Sequence, residues 1–325
     1  MKKLLFSGLL ATITLFSFSQ SGKKADKIIN AKSVERIEKI LASDDMKGRK
    51  VFSPELDKAA DFIAAEFKAA GLQTWNNAES YKQEFKMSDV RPSGKNGDKK
   101  LANVVGVLPG KSKKDEYVIF SGHYDHIGIG KAVGGDSIYN GANDDAAGVT
   151  AVILLAKYFK KLDNNERTII FVAFTAEEVG GFGSQYFSKQ LDPNKVMAMF
   201  NIEMIGTDSK WGKNSAFITG YEKTDMGSIL QNNLKGTGFT FYPDPYPDMQ
   251  LFYRSDNATL AELGVPAHTI STAKMEDEPH YHQPSDEVKT LDLKNMAMII
   301  KSIALSSRGI VAGKETPSRV KKEQN

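Results

Sequence analysis

Five side chains able to bind a transition metal are spread along the 325-residue sequence, each close to an apolar run: His123, Asp144, Glu178, Glu203 and His282. Imidazoles used together with carboxylates, in a chain without cysteine, suit Zn²⁺ better than Ca²⁺ or Mg²⁺. Five ligands exceed what one tetrahedral ion takes and match two ions sharing a carboxylate, an arrangement used for hydrolysis. Neighbouring residues add to this chemistry. His123 and Asp125 are two apart and share one side of an extended chain, so the carboxylate can accept the free ring N–H and fix the imidazole. Asp144 and Asp145 follow Asn143 among small residues; one acid would serve as a helix cap, and either of the two could bridge cations. Glu177 and Glu178 open a glycine-rich turn, where one can coordinate and the other take a proton from water; spacing does not assign the roles. His280 and His282 project alike from an extended segment, His126 stands one turn past His123, and His268 lies inside an apolar strand pattern and reads as core.

The elements that must position these groups alternate between strand and helix. Helical spacing runs through Lys24–Leu72, with Gly71 placed as a C′ residue. Leu101–Leu108, Tyr117–Ser121, Val196–Ile202, Phe217–Thr219 and Ala267–Ser271 read as strands, and Thr168–Thr175 reads as a strand buried on both faces. Helices are expected over Ala146–Phe159, Gly183–Lys189, Lys223–Leu234, Gln250–Leu263 and Leu293–Val311. This alternation predicts an α/β fold with three layers: a mixed, mainly parallel sheet with helices on both faces. In such sheets ligands gather outside the carboxyl ends of the strands. His123, the Glu177-Glu178 pair and Glu203 each follow a strand end, so one edge of the sheet is expected to collect them.

Composition bounds the rest. With 41% hydrophobic residues the chain can bury a substantial core, and a single domain over about 24–313 is expected. Residues 1–20 read as an export signal, with Lys2 and Lys3 ahead of an apolar stretch and small residues Ser17, Ser19 and Ser21. Export to the periplasm or medium is therefore expected, without stable membrane association after cleavage. Losing two lysines and no acid takes the net charge from +3 to +1, which gives no electrostatic case for nucleic acid. Residues 314–325 read as a basic, solvated tail. The polar stretch Arg91–Lys100 reads as a surface turn, and Phe241–Tyr253, with Pro243, Pro245 and Pro247, as a stiff loop walling the site.

Taken together, these motifs resemble the zinc aminopeptidase and glutamate carboxypeptidase family, peptidase family M28. The resemblance rests on Lys47-Gly48-Arg49, His123-x-Asp125, Gly141–Gly148, Glu177-Glu178 with Gly180–Ser184, Asn201–Gly206, Arg254-Ser255-Asp256, and Tyr281-His282 ahead of Pro284-Ser285-Asp286. It implies the zinc-dependent exopeptidase fold, two Zn²⁺ ions, and peptides with a free N-terminus as substrates. It also implies the roles that spacing leaves open. Asp144 would bridge the ions and be joined to Asp145 by a cis bond. Glu177 would be the general base, Asp125 would orient His123, and Tyr281 would steady the oxyanion. Asp144, Glu178 and His282 would hold one zinc; Asp144, His123 and Glu203 the other. Two positions depart from the family pattern: Glu203 stands where aspartate is usual, and Asn257 where histidine commonly follows Ser-Asp. Competing expectations are a one-zinc glutaminyl cyclase, a carboxypeptidase for acidic C-termini, or a non-catalytic binding domain.

Overall fold

Arg167–Phe174 is buried along its whole length, as an unbroken β-branched and aromatic run at the centre of a sheet should be. The computed structural model describes residues 25–91 and 97–321. The expected signal at 1–20, the middle of the polar turn at 92–96, and the last four residues lie outside the described residues. Eleven strands are described: β1 (Gln73–Thr74), β2 (Lys82–Lys86), β3 (Lys100–Leu108), β4 (Lys113–His123), β5 (Gly128–Val133), β6 (Asp136–Tyr139), β7 (Arg167–Phe174), β8 (Val196–Ile202), β9 (Ser215–Ile218), β10 (Thr240–Pro243) and β11 (Ala267–Ser271). Nine form one sheet in the order β1-β3-β7-β4-β8-β11-β9-β10, with β2 also on β3; β5 and β6 make a separate hairpin. The strands β7, β4, β8 and β11 are mutually parallel, and β3 and β9 join this centre antiparallel. The fold is thus the α/β type expected, a mixed sheet with a parallel centre.

Helices α1 (Ala31–Leu41), α2 (Pro54–Ala70), α3 (Ala147–Leu162), α4 (Phe182–Ser188), α5 (Met226–Asn233), α6 (Ala258–Ala261) and α7 (Leu293–Ser306) cover it. Alternation along the strands splits the core in two. Val118, Phe120, Ile169 and Phe171 face the larger cluster with α1, α2, α3 and α7, while Ile119, Ile170 and Val172 face a smaller one with Phe187, Leu260 and Ala261. On the larger face Phe120 stacks on Phe171, Phe200 and Phe159 at centroid distances of 5.8, 4.8 and 5.4 Å. Gly71 closes α2 with φ 76°, the left-handed cap its position predicts. Among the described residues no helix is long and apolar enough to cross a membrane.

Four readings need correction. Gln250–Leu263 is not one helix: a short turn at Leu251–Tyr253 is followed only by α6. Polar side chains there replace helical bonds, since Asn257 Nδ2 donates to the carbonyls of Phe252 and Ala267. Leu293–Val311 breaks at Ser307, whose hydroxyl bonds back to the Ile303 carbonyl; Arg308–Val311 forms a further short turn of helix. Phe241–Tyr253, expected to be a stiff loop throughout, opens with the last residues of β10, which pairs in parallel with β9. Residues 315–320 are not a solvated tail. Buried Arg167 donates to the Ile310 and Glu315 carbonyls and to Thr316 Oγ1, Arg319 donates to the carbonyls of Val196 and Pro193, and Val320 is buried against the smaller core. Each guanidinium brings five donors; residues 310–316 supply acceptors to Arg167, and Arg319 finds its own on Pro193 and Val196.

Candidate metal centre

The carboxyl ends of β4, β7 and β8 deliver His123, Glu177-Glu178 and Glu203 to one edge, as the strand-end pattern predicts. Asp144 arrives on the turn Ala142–Ala146 that opens α3, and the Asp144–Asp145 peptide bond is cis. The two acids do different work. Asp145 turns inward, where its Oδ2 accepts the His123 amide at 3.1 Å and its Oδ1 accepts the amides of Gly148 and Met204 at 3.0 and 3.1 Å. It thereby ties β4, α3 and the segment after β8 at one point. Gly148 must be glycine there, because a Cβ would lie 2.0 Å from the Ile202 carbonyl oxygen and 2.3 Å from Asp145 Oδ2.

Asp144 turns the other way. Its Oδ1 lies 3.2 Å from His123 Nε2, and its Oδ2 lies 3.2 Å from His282 Nε2. His282 Nε2 is also 3.2 Å from Glu178 Oε2, so one carboxylate faces two separate groups of donors. The buried His123 ring places Nδ1 3.2 Å from the Asp125 main-chain carbonyl, which can only accept. Nδ1 therefore carries the hydrogen in the neutral ring and Nε2 is free to coordinate. The Asp125 carboxylate is not the orienting group: it lies 3.9 Å from Nδ1, and its oxygens accept the amides of Glu177 and Glu178 at 3.1 and 3.3 Å. Asp125 thus fixes His123 through its backbone and the two glutamates through its side chain.

His126, which spacing leaves ambiguous, is buried in the cluster with Nδ1 2.8 Å from Glu178 Oε1. One ligand atom from each of His126, Asp144 and Glu178 falls within 4.8 Å of the others. Its only signal in the sequence is its place three residues after His123. His280 is absent from the cluster: it is half-buried and its Nδ1 lies 2.9 Å from Ser285 Oγ. Asp286, quoted above only as part of a motif, proves to be a fastener. Its oxygens accept the Asn143 and Asp144 amides at 2.8 and 3.0 Å, joining the His282 segment to the Asp144 turn. Asn257 is structural: its Nδ2 donates to the Phe252 and Ala267 carbonyls and its Oδ1 accepts from Thr269 Oγ1 at 2.9 Å.

His268 is core, as expected, with Nδ1 2.8 Å from the Thr219 carbonyl and Nε2 2.8 Å from Thr224 Oγ1. Burial pushes its pKa down from 6.5 to about 4. An unfolded chain therefore takes up the proton first, and stability is lost as pH falls from 6.5 to 4. The loss from this group is roughly 3 kcal/mol at most. In metal-free protein, the thermal stability advantage of wild type over His268→Gln should shrink between pH 7 and pH 4.5; a constant gap would refute the assignment.

Glu203 lines the cavity differently from the others. Its Oε2 lies 3.4 Å from Asn201 Nδ2 and accepts from the Ser255 hydroxyl, so the long side chain is braced from the side. The cavity it lines is open to solvent. Glu177, Tyr281 and His282 line it beside Glu203, while Met204, Phe217, Leu251 and Met275 supply an apolar part. Tyr281 stacks on His282 with centroids 4.0 Å apart. Burial, and the nearby charges of Asp144, Glu178 and Glu203, push its phenol pKa up, so the hydroxyl keeps its proton.

The electrostatics call for cations. Burial raises the pKa of Glu177 well above the ordinary value, with Glu203, Asp256 and Asp125 adding to it; burial likewise lifts Glu203, and lifts Asp256 to about 7. Hydrogen bonds to Asp144 and Glu178 raise His282 to about 10, so without metal this imidazole holds a positive charge between two carboxylates. The donor set is nitrogen and oxygen in a crowd of acids, and His123 Nε2 is buried without a hydrogen-bond partner. These features fit zinc.

Comparison with known proteins agrees with this chemistry. The model of Peptidase family M28 matches residues 103–306. Aminopeptidase YwaD of Bacillus subtilis is 22% identical over 231 residues, covering 68% of this chain and 47% of its own length. The chain spans about half the length of the curated relatives it matches. Among solved structures, the LapA aminopeptidase of Legionella pneumophila has a TM-score of 0.70 at 18% identity, covering 91% of this chain and 76% of that one. The glutaminyl cyclase of Porphyromonas gingivalis has a TM-score of 0.67 at 14% identity, covering 87% and 99%. Both likenesses are of fold.

Proposed function

The chain belongs to peptidase family M28, and from that premise we propose that it is an exported zinc exopeptidase that removes N-terminal residues from peptides. The observation that carries this reading is the split of Asp144, one oxygen toward His123 and the other toward His282 and Glu178. Such a carboxylate suits two ions: Asp144, Glu178 and His282 would hold one zinc, and Asp144, His123 and Glu203 the other. When bound, zinc polarises the scissile carbonyl and lowers the pKa of water toward neutrality.

The chain's own residues do the rest. Glu177, made more basic by burial and by the acids around it, can take a proton from water and return it to the leaving amine. Tyr281 keeps its proton and can donate a hydrogen bond to the developing oxyanion. Glu203 and its acidic neighbours attract the free α-amine, and the apolar lining by Met204, Phe217, Leu251 and Met275 suits an apolar side chain. Export rests on the character of residues 1–20.

Zinc content and hydrolysis of amino-acid anilides, measured before and after chelation, test the reading. Two zinc ions per chain, with leucine and methionine anilides cleaved ahead of glutamate and activity lost with the metal, are expected. Pyroglutamate formation without anilide cleavage would replace the peptidase by a cyclase.

A further inference from the structure

We propose that Arg49 is the positioning residue of the metal centre, setting the distance between the turn that carries His123 and the turn that carries Asp144. The inference rests on the zinc reading above. Arg49 is fully buried and bonded almost entirely to backbone. Its Nε donates to the Tyr124 carbonyl at 2.8 Å, Nη1 to the carbonyls of Leu41 and Asn140 at 2.5 and 2.7 Å, and Nη2 to that of Gly141 at 2.9 Å. Its own carbonyl accepts the His126 amide at 3.2 Å. One planar group thus joins residues 124–126, which follow His123, to residues 140–141, which precede Asp144, and anchors both on the end of α1.

The local backbone is bent to make this possible. Lys47, Gly48 and Arg49 have φ of 43°, 67° and 46°, three left-handed residues in succession, two of them not glycine. Such conformations persist where the surroundings require them, and the observed outlier points to a role. Gly48 is needed for contact: a Cβ would meet the Tyr139 carbonyl oxygen at 2.3 Å and Gly128 Cα at 2.8 Å. The turn is thereby wedged against the hairpin that separates the two ligand segments. Asn140 repeats the tie from the other side, its Nδ2 donating to the Ala42 carbonyl and to Asp44 Oδ1 at 3.2 and 3.0 Å.

A guanidinium presents a rigid fork of donors that an ammonium cannot reproduce. Arg49→Lys therefore keeps the charge and loses the span. Arg167 supplies the control, being equally buried and also bonded to carbonyls, but at the start of β7, the end opposite Glu177. Arg49→Lys and Arg167→Lys should both lower the melting temperature of metal-free protein. Only Arg49→Lys should weaken zinc binding, by about tenfold or more in competition with a chromogenic chelator, the scale seen for groups that orient ligands. The visible spectrum of the cobalt-substituted protein should shift in the same variant alone. Wild-type zinc affinity in Arg49→Lys, or an equal loss in Arg167→Lys, would overturn the proposal. If Arg49→Lys does not fold, Asn140→Ala carries the same expectation with a smaller loss, and unchanged affinity there counts against it equally. Failure of the wild type to bind zinc would instead remove the metal reading itself.

Discussion

Glu177→Gln is expected to bind zinc as the wild type does and to lose roughly 10²- to 10⁴-fold in turnover, the range that positioned proton transfer supplies. The backbone that presents Glu177 is held independently of its side chain, because its amide and that of Glu178 donate to Asp125. The amide replacement keeps this geometry and removes only the ability to accept and return a proton. The raised pKa of Glu177 sharpens the expectation, since burial and the surrounding acids make it a stronger base than an exposed glutamate. The loss should fall on kcat with little change in KM. Unchanged turnover in a zinc-loaded Glu177→Gln protein would remove this residue from proton transfer.

The second large effect concerns stoichiometry. Asp144→Asn replaces one of two oxygens that face different histidines and cancels the charge they share. Zinc should be lost from both positions, with affinity falling by more than the roughly 100-fold upper range for groups that only orient ligands. His282→Ala should cost one ion and leave the other with His123 and Asp144. Direct metal analysis after gel filtration distinguishes the patterns: two ions in wild type, one in His282→Ala and none in Asp144→Asn. A wild type holding one ion, with His123→Ala without effect on it, would point to a single-metal site.

Much of this was readable from residues alone where one strong local signal acts. The strand at 168–175 is an unbroken β-branched and aromatic run and that at 196–202 is apolar but for Asn201, and their ends give the site edge directly. Choosing Asp144 over Asp145 and His282 over His280 required the family resemblance. The physical reasons became visible only in three dimensions: Asp145 is occupied by three backbone amides, and the His280 ring is turned to Ser285 Oγ. His126, Asp286 and the Arg49 network were not legible, because each acts through partners distant in the chain. Arg49 reaches acceptors 75 to 92 residues away, and no periodicity encodes that. The supposed helix at 250–263 misled for a related reason. Its apolar spacing is helical, but Ser255 and Asn257 are drawn into bonds with Glu203 and with the carbonyl of Ala267. The role given to Asp125 was right in its target and wrong in its atoms, a distinction between side chain and carbonyl that spacing cannot make.

The fastening of residues 315–320 onto Arg167 bears on biosynthesis. A growing chain exposed as far as residue 300 has every side chain of the metal cluster, from His123 to His282. It still lacks the Ile310, Glu315 and Thr316 acceptors that satisfy a guanidinium at the root of the central strand. Until they emerge, the buried Arg167 guanidinium keeps its ion pair with Glu116 at 2.6 Å but leaves its Nη donors without these acceptors, and burying them so is costly. Ribosomes add about 5–20 residues per second, so these acceptors follow the side chains of the metal cluster by a few seconds.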